Sequence, residues 1–339
     1  MPHVIELIPS LRNEVSKEKW EQLLSHSSSA TAFHTREWAL VLKETYRDLD
    51  VKYIVIEDGD GRYVAGMPFA HSRNLLFSTY LSMPFGTYGG PVAIDGLEED
   101  VAPFIGAALQ GVTRGILPFS FYCVLYDTHV CLERTIQGAF PHGRRTRVST
   151  HLIDLGAGFR KLWDSEFDKE TRTCARKALR SGVKIERCRG EQDPSILHSL
   201  YKKQAAAWGV KKIYPERLVC QIASLMGEKA RIWTGTLGGV PVCAVLVFYF
   251  KDALMAWLSG QNAEGRKVCA NHLLYTEILR DACEKDYSVF NFGGSGNMQG
   301  IRYFKESFGG REYSYSLFIN DSGMFKFARK LRKAATGHE

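Results

Sequence analysis

Gly293-Gly294-Ser295-Gly296 and Lys305 are the residues of this chain best suited to meet a developing negative charge. Ser288–Phe292, just before the glycines, is a short β-rich apolar run. Gly300–Phe308, just after them, carries Ile301, Phe304 and Phe308 at helical spacing. A strand that ends in glycines and turns into a helix offers backbone N–H groups to an anion. Glycine also permits the positive φ and the close approach such a loop needs. Lys305 adds an ammonium beside the apolar stripe. A tight strand-to-helix turn without ligand has the same pattern, so the spacing alone leaves both readings open.

A second set of cations lies upstream. Arg172, Arg176 and Arg180 recur at i, i+4 and i+8, with Lys169 and Lys177 alongside, on a segment that Asp168 can cap and Gly182 can end. The stripe suits phosphate. A solvated helix face would normally mix in acids, and between Lys169 and Gly182 only Glu170 does so. Met324–Ala335 is also basic and amphipathic, with Lys326, Arg329, Lys330, Arg332 and Lys333 against Phe325, Phe327 and Leu331. Such a helix docks on anionic lipid or packs its aromatic edge on the domain before it.

Other chemistries leave no trace. The chain has no G-x-S-x-G, H-E-x-x-H or Walker motif, and Gly293, Gly294 and Gly296 do not form the dinucleotide fingerprint. Ten histidines and eight cysteines are scattered without C-x-x-C or zinc-finger spacing. No metal is expected, and His272 reads as a capping or packing residue. An enzyme without an evident nucleophile or metal can still hold an activated acyl donor beside an amine. It then needs only to stabilise the oxyanion and let one proton leave.

These residues need a scaffold of alternating elements. Val4–Ile8 reads as a strand, Lys17–Leu24 and Arg36–Tyr46 as helices, and Val51–Glu57 with Tyr63–Ala70 as a hairpin around Asp58-Gly59-Asp60-Gly61. Tyr80–Gly90 reads as an aromatic strand, Glu98–Leu117 as a helix and Phe119–Tyr126 as a buried strand. Helices over Pro194–Trp208 and Pro215–Met226 then precede a second hairpin, Arg231–Leu237 and Val240–Phe250. Strand Leu254–Ser259, helix Arg266–Cys283 and strand Ser288–Phe292 complete the second round. The same order twice predicts an internal duplication of one α/β unit. The expected parts are 1–157, a connecting basic helix at 158–182, and 183–339.

The 339 residues, 45% hydrophobic and 24% charged, suit two ordinary domains. A net charge of +7 favours anionic partners but is mild for a nucleic-acid binder. The cysteines sit mostly in apolar stretches, as in a reduced cytoplasmic protein. The N-terminus shows no signal-peptide core. The longest apolar run, Val240–Phe250, has about half the length of a membrane span.

The chain resembles the FemAB-like proteins, the Fem-type aminoacyltransferases and their relatives built from two GNAT-like lobes. The matching pieces are Phe33–Tyr46, Ser82–Pro91, Phe167–Glu186, Phe290–Ser295 and Tyr303–Gly310, in the family's order over nearly the whole chain. The resemblance implies an α/β fold of two lobes with mixed sheets, related by duplication. It also implies acyl transfer to an amine of an amino sugar, peptide or envelope precursor. The donor would be an aminoacyl-tRNA or an acyl-CoA, with no permanently bound cofactor. Lys305 matches the lysine of the family's Phe-Lys motif, which holds acceptor phosphate. Facing a channel, it would be removable with little change in stability. Around it, Tyr303, Phe304, Trp257 and Tyr88 are substrate-binding candidates, with Arg172, Arg176 and Arg180 for phosphate. Gln261, Gly265 and Asn271 are the donor-binding candidates, on a loop loosely similar to the pyrophosphate loop of acetyl-CoA enzymes. Three positions depart from the pattern. Ala207 and Leu40 replace cations and Asn291 replaces an acid, which argues against the standard muropeptide acceptor. A tRNA and the inner face of a membrane remain expected partners.

Overall fold

The computed structural model describes residues 6–73, 76–114, 117–188, 193–210, 212–296 and 298–327. Close contacts group the chain into two compact units, Met1–Val148 with Tyr315–Glu339, and Ser149–Ser314.

Up to its midpoint the chain forms β1 (Ile8–Arg12), α1 (Lys17–Ser25), α2 (Arg36–Thr45), β2 (Asp50–Glu57), β3 (Tyr63–Arg73), β4 (Ser78–Leu81), β5 (Val92–Ala93), α3 (Glu98–Thr113), β6 (Phe119–Leu125), α4 (Val130–Ala139) and β7 (Arg144–Asp154). After the short α5 (Gly158–Lys161) and the helix α6 (Lys169–Arg180) come β8 (Val183–Cys188), α7 (Asp193–Ala207), α8 (Glu216–Leu225), β9 (Ala230–Leu237), β10 (Val240–Phe250) and β11 (Ala253–Gln261). The chain then forms α9 (Ala263–Lys267), α10 (Ala270–Glu284), β12 (Val289–Gly294), α11 (Gln299–Glu306) and β13 (Arg311–Asp321).

The strand pairings of the two units follow one plan. In the first unit β1, β2, β3 and β4 pair antiparallel in sequence, and β4 then pairs β6 in parallel. In the second, β8, β9, β10 and β11 pair antiparallel, and β11 pairs β12 in parallel. The closing strands are exchanged between the repeats. Ser316–Asp321 of β13 lie antiparallel on β6, while Thr150–Asp154 of β7 lie antiparallel on β12. The duplicated α/β fold expected from the element order is therefore present, with each sheet completed by a strand from the other half of the sequence.

Local chemistry explains the joints. Asp58 Oδ1 accepts the N–H groups of Asp60 and Arg62, fixing the first hairpin turn. Gly238 and Gly239, at φ 57° and 80°, make the second turn, which needs left-handed backbone at both positions. Asp168 caps α6 by accepting Thr171 N–H at 2.6 Å. Each unit buries its own core: Ile54, Met67, Phe69, Ile105, Phe121 and Phe318 in the first, and Val245, Leu274, Ile278, Phe290, Phe292 and Phe308 in the second.

Several expected elements come out differently. Residues 80–90 are strand only to Leu81, because Met83 and Phe85 take positive φ around Pro84 and turn the chain into a loop. Arg266–Cys283 is not one helix: Cys269, at φ 61°, separates α9 from α10. The first strand is Ile8–Arg12, and residues 4–5 of the expected one lie outside the described residues. Of the basic C-terminal helix, residues 323–327 are helical and 328–335 lie outside the described residues.

Candidate active site

Of the second unit's site candidates, Lys305 sits where β11 and β12 part. Their parallel pairing runs through Ala253–Val289, Leu254–Phe290 and Met255–Asn291. β11 then bulges at Trp257 and continues to Gln261 paired only with β10 among the described residues. Beyond Met255 it has no further pairing with β12 among the described residues.

On β12 the chain turns at Gly293, whose φ of 72° suits glycine. A Cβ there would lie 3.0 Å from the Ala256 carbonyl oxygen. The buried Asn291 side chain fixes this turn. Its Oδ1 accepts Thr150 Oγ1–H at 2.5 Å and Gly293 N–H at 2.8 Å. Lys305 lies under the loop rather than in an open channel, with 5% of its surface exposed. Its Nζ donates to the carbonyls of Gly293 at 2.6 Å and Gly294 at 2.9 Å. Burial lowers its pKa to about 8, so the ammonium is charged at neutral pH. α11 is anchored at its C-terminal end: Ser307 accepts Thr171 Oγ1–H at 2.8 Å on its hydroxyl and Asp168 N–H at 2.9 Å on its carbonyl.

One candidate was invisible as a motif. His151 on β7 is 1% exposed, and among the described residues its Nδ1 has no hydrogen-bond partner. Its Nε2 is 3.5 Å from Glu306 Oε1, a carboxylate that Arg302 also holds at 2.8 Å. Burial lowers the His151 pKa, and the Lys305 charge adds to that, so the imidazole is neutral at neutral pH. Among the described residues, Ser295 Oγ in the loop and Asn271 Oδ1 at the start of α10 are likewise buried and unpartnered. Buried polar atoms without partners are rare enough to mark places where a ligand can bond. No spacing rule could find His151, because the strand carrying it comes from the other half of the sequence.

The remaining candidates are spread out. Gln261 and Gly265 do not form an open loop. Gln261 N–H donates to Gln204 Oε1 at 2.8 Å, and Gly265 N–H donates to Asn262 Oδ1 at 2.9 Å. Gly265 also lies against β10, where a Cβ would meet the Val242 carbonyl oxygen at 2.4 Å. Phe304 packs edge-on against His272, Tyr275 and Phe308, while Tyr303 is exposed with its hydroxyl 3.5 Å from Glu170. Trp257 stacks on Tyr214 at 5.0 Å. Tyr88 belongs to the first unit, buried and stacked on Tyr126 at 4.0 Å. Along α6, Arg172 donates to the carbonyls of Trp163, Asp164 and Phe167, and Arg176 lies over the Trp163 ring. Arg180 is exposed.

Residues 165–306 match the family model for an acetyltransferase (GNAT) domain. That stretch contains the parted strands, the glycine loop and Lys305. Among solved structures, FemX superposes with a TM-score of 0.71 at 10% identity, over 92% of this chain and 96% of its own. The C-terminal domain of a putative lysylphosphatidylglycerol synthetase from Agrobacterium fabrum gives 0.59 at 14% identity, over 92% and 94%. A tandem GNAT protein from the clavulanic acid biosynthesis pathway gives 0.55 at 11%, over 94% and 99%. No curated protein matches the chain in sequence. At such identities the likeness is one of fold. It agrees with the Fem-type resemblance, and the domain match supports an acyltransferase enzyme. No described helix is long and apolar enough to cross a membrane.

Proposed function

We propose that this protein transfers an acyl or aminoacyl group to an amine of an amino sugar, peptide or cell-envelope precursor. The observation that carries the reading is the parted β11/β12 pair, ended by a glycine loop that sits on the Lys305 ammonium. The stretch of β11 past Met255, no longer paired with β12, would supply preorganised backbone dipoles where a carbonyl under attack would lie. The amine nitrogen bonds to the carbonyl carbon, thiolate or alkoxide leaves, and one proton is released. His151, neutral and held at Nε2 by Glu306, is suited to take that proton at Nδ1. Lys305 favours negative charge on the oxyanion or on an acceptor phosphate.

With Arg172 committed to three carbonyls, the α6 stripe offers fewer charges to a tRNA than its spacing suggests. That favours an acyl-CoA donor. The backbone N–H groups of Gln261 and Gly265 are engaged internally, so the first turn of α10, which no side chain caps, is the better place for donor phosphate. Likeness in fold to a protein named for lysylphosphatidylglycerol supports an envelope acceptor, met in the cytoplasm at the membrane's inner face.

A thermal-shift series with acetyl-CoA, longer acyl-CoAs, charged tRNA and UDP-amino sugars tests this. A true donor at one hundred times its dissociation constant should add about 2.7 kcal/mol. Failure of every activated donor to stabilise the protein refutes transfer. Binding of tRNA with a steep salt dependence but no acyl exchange would instead make it a non-catalytic RNA binder.

A further inference from the structure

The break between α9 and α10 brings three soft ligands together. Cys269 precedes the first residue of α10, His272 follows three residues later, and Cys174 comes from α6. Their Sγ, Sγ and ring nitrogen atoms lie within 4.8 Å of one another, and the Cys269 thiol donates to Cys174 Sγ at 3.2 Å. A tetrahedral zinc ion with ~2.3 Å bonds to sulfur and ~2.0 Å bonds to nitrogen needs ligand atoms roughly 3.4–3.8 Å apart. The Sγ–Sγ pair at 3.2 Å must open by about 0.5 Å, and the sulfur–nitrogen distances, at most 4.8 Å, must close by no more than about 1.3 Å.

Two further features point the same way. Cys269 adopts a left-handed backbone at φ 61°, a conformation that costs a non-glycine residue about 1 kcal/mol or more and often marks a functional position. His272 is held by its ring neighbours, nearly parallel to Phe308 at 6.0 Å and edge-on to Phe304 at 5.1 Å, so its orientation is set before any ion arrives. Glu170, one turn before Cys174 on the same face of α6, places its charge near both Cys174 and His272. Glu170 lies outside that 4.8 Å cluster, so water supplies the fourth ligand.

We propose that Cys174, Cys269 and His272 form a binding site for one thiophilic divalent cation of the zinc class. The two thiolates select against magnesium and calcium. Binding releases the two thiol protons, changes no oxidation state, and clamps α6 to the start of α10. The site adjoins the first turn of α10, proposed above for donor phosphate, and its metal binding is measured with no acyl donor present.

Titration of the reduced, chelator-treated protein with cobalt(II) under argon is the test. The expected result is a thiolate-to-cobalt charge-transfer band that saturates at one equivalent and is abolished by one equivalent of zinc. Cys174→Ser and Cys269→Ser should lose the band, His272→Gln should weaken binding at least tenfold, and Cys220→Ser should behave as wild type. Differential alkylation of the wild-type chain needs no variant. Zinc should protect Cys174 and Cys269, and both should be recovered as free thiols after chelation. Absence of the band, a band unchanged in the cysteine variants, or recovery of the two cysteines as a disulfide that forms equally with and without zinc overturns the proposal.

Discussion

Lys305→Met keeps the length and apolar stem of the side chain while removing the ammonium that Gly293 and Gly294 accept from. Its consequence is sharpest as a function of pH. In the folded protein burial lowers the Lys305 pKa to about 8, from 10.5 for an unperturbed lysine. Between those two values the unfolded chain holds a proton that the folded chain has released. Stability therefore rises with pH across that window, by about 1.36 kcal/mol per pH unit. Over the ~2.5 units separating the two values the gain is about 3.4 kcal/mol. Below about pH 7 both states are protonated and the slope from this group disappears.

Lys305→Met has no such group, and every other titration is shared by the two proteins. The difference in unfolding free energy, wild type minus variant, should thus climb by about 3 kcal/mol between pH 7 and 10.5. At pH 7 its sign is less telling, because two unpaired carbonyls at about 1–3 kcal/mol each are set against relief of the buried charge. Urea unfolding of both proteins at half-unit pH steps, followed by tryptophan fluorescence, measures the difference directly. Parallel stability curves would mean that the ammonium is solvated, and would refute its placement beneath the loop. The same contacts overturn the expectation that Lys305 can be removed without effect on stability.

Three further substitutions separate structural from exposed cations and test a close approach. Arg172→Ala should cost about 1.5–3 kcal/mol in chemical denaturation because three carbonyls lose their charged donor, whereas Arg180→Ala should stay within about 0.5 kcal/mol. Equal effects would contradict the difference in their surroundings. Gly265→Ala should lower stability by about 1–3 kcal/mol, since its Cβ would press on the Val242 carbonyl, and an unchanged melting temperature would show that α9 is free to move.

Most of the architecture was legible because it rests on local chemistry. Alternating apolar runs, the Asp-Gly and Gly-Gly turns, the Asp168 cap and the Gly182 stop each act over a few residues, and they predicted α6, both hairpins and the repeated order. The loop at Gly293 and the helix bearing Lys305 were legible for the same reason. Where a sequence run hid a left-handed residue, as at Met83, Phe85 and Cys269, periodicity overran the true end of the element. A positive φ on a non-glycine residue is imposed by surroundings rather than by its own preference.

Tertiary structure alone decided the rest, because it depends on partners distant in the chain. The exchange of β7 and β13 between the repeats sets His151 beside Lys305 and Glu306, over 150 residues later in the sequence. The packing of α6 on α10 turns scattered cysteines into a cluster with His272. Arg172 read as a free cation by its spacing, and only the fold shows its guanidinium bound to three carbonyls. Local propensity fixes which residues form a helix or a turn; burial and long-range pairing determine which of their polar groups remain unsatisfied, and so where chemistry can occur.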